Sequence, residues 1–113
     1  MKSISISVEP GICGFCCQVK AWQQDKHRAT IEITGSQCKM IRKLAENLKE
    51  IRMRDIFVPH SRNPVFKAAE QAGCHLTCSV PLAALKAAEV ALELALPRKA
   101  CLNFVQHDKK DST

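Results

Sequence analysis

The hydrophobic pattern changes period at Gly35, and that change limits the folds open to the chain. Before Gly35 the apolar residues alternate. Ile4, Ile6 and Val8 interleave with Ser3, Ser5 and Ser7, a period of two that suits a half-buried strand. Pro10-Gly11 ends that run. Residues 17–24 form a second strand, with Val19 and Ala21 on one face and Trp22 on the other. Asp25-Lys26-His27 is a polar turn, and Ile31 and Ile33 carry a third strand over 29–34. Two antiparallel hairpins in series follow from this order.

After Gly35 the spacing becomes helical. Ser36 is a good N-cap, and Met40/Ile41, Leu44/Ala45, Leu48 and Ile51 lie along one face, predicting a helix over 37–50. Pro59 breaks the next stretch, Pro64 opens a short helix over 64–71, and Gly73 closes it. Pro81 opens a last helix, 81–96, in which Lys86, Glu89 and Glu93 make a narrow polar stripe on an otherwise Ala, Leu and Val surface. A helix so apolar packs on several sides or meets a second copy, so a homodimer through helix 80–96 is one expectation. Residues 100–106 alternate and could close as a final strand. The fold class expected is α+β: a small antiparallel sheet of about three strands followed by helices packed on one face. Residues 1–106 form one domain, and 107–113 a polar tail.

Apolar residues make up 46% of the 113 and charged residues 25%, the balance of an ordinary globule. The charges Lys86, Glu89 and Glu93 interrupt the stretch from Val80 to Leu96, so no membrane span is expected. Met1-Lys2 leads straight into the first strand with no export signal read there, and a cytoplasmic location is expected. The net charge is +6. Lys39, Arg42, Lys43, Lys49, Arg52 and Arg54 are read as one helical stretch, but Glu46, Glu50 and Asp55 interleave with them and aromatic residues are few. That pattern is a solvated helix face rather than a nucleic-acid surface.

Seven cysteines in such a chain point to metal or redox chemistry. Cys17 and Cys101 read as small buried strand residues. Cys13 lies in the Gly11-Ile12-Cys13-Gly14 loop, Cys38 in the first turn of one helix, and Cys78 just before the start of another. Helix N-termini favour thiolate, the form that binds metal. Two local spacings compete with that trio: Cys13-x-x-Cys16, and Cys74-x-x-x-Cys78 enclosing His75. Paired, Cys13, Cys16, Cys74 and Cys78 supply four sulfurs at zinc-ribbon spacing. A thioredoxin-like reading of the first spacing fails because it lies between strands. No phosphate-binding loop is present, and no motif assigns a base to a nucleophile, so the chain does not read as an enzyme.

The longer order is Cys13-Gly14, then Ile33-Thr34-Gly35-Ser36-Gln37-Cys38, then His75 to Cys78 running into Val80-Pro81-Leu82-Ala83. This order, over residues 4–96, resembles the NifU-type iron–sulfur cluster assembly scaffolds. The resemblance implies a NifU/SufE-like fold with cluster-binding cysteines at Cys13, Cys38 and Cys78, and with Cys74 or His75 as the fourth ligand. It implies an iron–sulfur cluster or zinc as cofactor, and a cysteine desulfurase or an apo-protein acceptor as partner. The rival readings are a structural zinc domain and a metal-free homodimeric interaction protein.

Overall fold

The computed structural model describes residues 3–9, 11 and 14–107. The chain is an α+β protein. Its strands are β1 (Ser3–Val8), β2 (Cys17–Asp25), β3 (Arg28–Thr34) and β4 (Glu50–Arg52). Its helices are α1 (Lys39–Asn47), α2 (Met53–Ile56), α3 (Pro64–Ala72) and α4 (Ser79–Ala91), with a 3-10 turn at His60–Arg62. The four strands form one antiparallel sheet in sequence order.

Alternation along the first three strands sorts the side chains between two faces. Val19 and Ala21 of β2 and Ala29 and Ile31 of β3 are buried, while Ser5, Ser7, Lys20 and Glu32 face out. The outer face is polar, with Lys20 Nζ 5.8 Å above the Trp22 ring. The inner face carries the helices. α4 lies across β1, β2 and β3, α1 packs on β3, and α3 bridges α1 and α4. Ala84, Ala87 and Ala88 are fully buried, so α4 approaches the sheet through small side chains. No helix among the described residues is long and apolar enough to cross a membrane.

Four expectations are corrected. The helix read over 37–50 spans only Lys39–Asn47, and the sheet gains a fourth strand, β4, from the residues that follow. Ile51 fits the helical spacing, but it pairs with Ala29 at the edge of β3 and is fully buried there. Glu50 lies 3.8 Å from Arg28 on the neighbouring strand, an added cross-strand attraction. The basic residues are consequently divided among α1, a loop, β4 and α2 rather than one helix. Helix 81–96 is Ser79–Ala91, its end bent away by Glu93 in the left-handed region at φ 64°. Residues 100–106 are not a strand, and Cys101 is exposed rather than buried.

Asn63 fixes the entry to α3. Its side-chain oxygen accepts from Val65 N–H at 2.9 Å, and its amide nitrogen donates to the carbonyls of Asp55 (2.7 Å) and Val58 (3.0 Å). It is the buried polar residue of the described core. Asn63→Ala strips three partners at once and is expected to cost about 2–3 kcal/mol, read as a lower urea midpoint. His60 stacks on Phe66 with ring centroids 5.7 Å apart.

Candidate functional site

Three cysteines are delivered to one place by the ends of three helices. Gly35 turns the chain out of β3 at φ 82°. Ser36 Oγ then accepts from Cys38 N–H at 3.1 Å, and Arg42 Nε donates to the Ser36 carbonyl at 3.2 Å. Cys38 is therefore the N-cap of α1, not a residue of its first turn capped by Ser36. Its side chain makes no capping hydrogen bond, although its carbonyl accepts from Arg42 N–H at 3.0 Å.

The end of α3 positions the second thiol. Gly73 adopts φ 79°, a left-handed conformation that glycine takes without strain. Its N–H donates to the Glu70 carbonyl, and Cys74 N–H donates back to Ala69, each at 3.0 Å. A tight turn follows, closed by Cys78 N–H donating to the His75 carbonyl at 3.0 Å. Cys78 is then the N-cap of α4, again with no side-chain capping bond. Cysteine thus occupies two caps where Ser, Thr, Asp or Asn would bond the first-turn amides.

The packing of α1 on α3 brings these ends together. A side chain added at Gly73 would meet Met40 Cγ at 3.9 Å, so the start of α1 abuts the end of α3. Cys38, Cys74 and Cys78 are all half-buried and packed against the core. Burial, and after it the neighbouring Cys78 and Cys38, together push the Cys74 thiol up to about 11. A soft cation bound at the Cys74 sulfur would remove that opposition to its ionisation.

The remaining predicted ligands are placed differently. Cys16 is exposed at the mouth of β2, and His75 is exposed in the turn before α4. Cys13 lies outside the described residues. Its flanking glycines are described, with Gly14 N–H donating to the Gly11 carbonyl at 3.0 Å. The pairings Val8 with Cys17 and Gln18 with Thr34 put the β1–β2 connection at the end of the sheet from which β3 leads to Cys38. Cys17 is buried in the core, as its place in the strand predicts. Among the described residues, no group of three or more His, Cys, Asp or Glu side chains is arranged to hold a metal ion as it stands.

The raised Cys74 pKa has a pH consequence for the metal-free protein. Below pH 9.0, its ordinary value, the thiol is protonated both folded and unfolded. As pH rises from there towards about 11, the unfolded chain releases this proton while the folded chain keeps it, so stability falls. Thermal midpoints measured across this range should drop less steeply in Cys74→Ser than in the native chain.

A family model matches residues 4–104 of the chain, that of a family of unknown function (DUF6951). No curated protein and no solved structure matches it.

Proposed function

The chain belongs to DUF6951, a family of unknown function, over nearly its whole length, and from its own thiols we propose that it binds a thiophilic metal. Cys38, Cys74 and Cys78 supply three of the ligands, and Cys13 or His75 completes the set. The observation that carries this reading is the half-buried Cys74 thiol, which feels the charges of Cys78 and Cys38 from two other helix ends. Partly burying the Cys74 thiol beside Cys78 and Cys38 disfavours its ionised form unless a cation compensates, and first-turn amides of α1 and α4 add favourable partial charge. Thiolate donors suit zinc, iron and iron–sulfur clusters.

Within this reading the NifU-like motif order favours an iron–sulfur cluster held for transfer over a single ion held permanently. The half-exposed position of the cysteines agrees with a cargo that must enter and leave. A sulfur-donating desulfurase and an apo-protein acceptor are then the partners.

The test is the iron, zinc and acid-labile sulfide content, with a visible spectrum, of protein purified without oxygen. Iron with sulfide, or stoichiometric zinc, lost on Cys38→Ser and Cys78→Ser, is the expected result. Zinc retained by Cys38→Ser would move the site to Cys13, Cys16, Cys74 and Cys78 and make it structural. A chain that takes up neither metal nor cluster on reconstitution would sink the proposal.

A further inference from the structure

β1 is an edge strand, hydrogen-bonded to β2 on one side alone, and the core beside it is unfinished. Ile4 and Ile6 point to the same inner face as Val8, yet both stay half-exposed where Val19 and Ile31 on the neighbouring strands are sealed. A groove is lined by β1 (Ile4 and Ile6), α4 (Leu82 and Val90) and residues 95–102 of the same chain. An open edge beside an unfilled apolar groove is a template for another strand.

The same chain carries a segment of matching character. Residues 100–106 read Ala-Cys-Leu-Asn-Phe-Val-Gln, and their alternation puts Leu102 and Phe104 on one side. In the structure this segment is neither helix nor strand, and no strand pairs with it among the described residues. Leu102 is 96% exposed and Phe104 103%, so neither side chain is covered by its own chain. Residues 95–102, Leu102 included, line one side of this groove in their own chain, yet Leu102 and Phe104 keep their side chains exposed.

We propose that residues 100–106 of one chain add as a fifth strand to the free edge of β1 in a second copy, and that the exchange is reciprocal. Leu102 and Phe104 then cover Ile4, Ile6 and Leu82 of the other copy. One chain supplies both halves of the contact, as a closed two-fold dimer requires. Asn103 and Val105 fall on the outer face of the extended sheet.

Sedimentation equilibrium on the full chain under reducing conditions tests this, with hydrogen exchange on the same samples. A dimer is expected, with exchange at Ser3–Val8 slowing as protein concentration rises through the association range. The double variant Leu102→Asp, Phe104→Asp should be monomeric, with an unchanged circular dichroism spectrum and no concentration-dependent protection of β1. A native chain that stays monomeric at all concentrations overturns the proposal. So does a dimer that survives the double substitution, which would place the interface elsewhere, for example on α4.

Discussion

Replacing Cys38 by serine is expected to lower affinity for zinc or iron by ~100-fold or more, without weakening the metal-free fold. Losing outer-shell partners of a metal ligand alone costs about 10–100-fold, and at the proposed site a ligand itself would be exchanged for a poorly matched hydroxyl. The fold should not suffer, because the Cys38 side chain makes no capping hydrogen bond that could be lost. Serine is the better N-cap, so the metal-free variant should melt at the native temperature or slightly above it. Competition titration with a chromogenic chelator reads the affinity, and calorimetry reads the fold. Unchanged affinity in Cys38→Ser would remove α1 from the site. A large fall in the metal-free melting temperature would mean that Cys38 serves packing instead.

The second large effect is Leu44→Ala, expected to destabilise by about 3 kcal/mol. Leu44 is fully buried on the face of α1 that meets β3 and α3. Truncation removes apolar burial and leaves a hole between two elements anchored on opposite sides, so little collapse can compensate. Urea denaturation should show a lower midpoint at an unchanged slope. The variant should also bind metal less tightly, because α1 carries Cys38 to Cys74 and Cys78. A cost below ~1 kcal/mol would contradict the packing described for α1, since truncations in a tight core cost more.

The first three strands and the extent of α3 could be read from the chain because local chemistry decides them. Serine–isoleucine alternation fixes β1, Pro64 and Gly73 bracket α3, and Pro81 lies in the first turn of α4. What could not be read depends on contacts distant in sequence. Ile51 satisfies helical spacing and strand burial equally, and the free edge of β3 decides between them. Residues 100–106 have a strand's alternation, but their own chain offers them no hydrogen-bonded neighbour. At the site, Cys38 and Cys78 were legible as helix-start cysteines. The spacing already put Cys74 near Cys78; that Cys38 comes near them follows from the docking of α1 on α3, which no spacing encodes.

The three thiols come from the start of α1 and from the end of α3 with the turn after it, segments far apart in sequence, and this sets an order of events. A chain emerging during synthesis offers Cys38 long before Cys74 and Cys78 exist. A chain whose α1 has come away offers the latter two without the former. Only the completed tertiary structure presents three sulfurs together, so metal taken up by the trio would mark molecules that have finished folding. Bound there, it would clamp the frayable ends of three helices and oppose the first steps of unfolding.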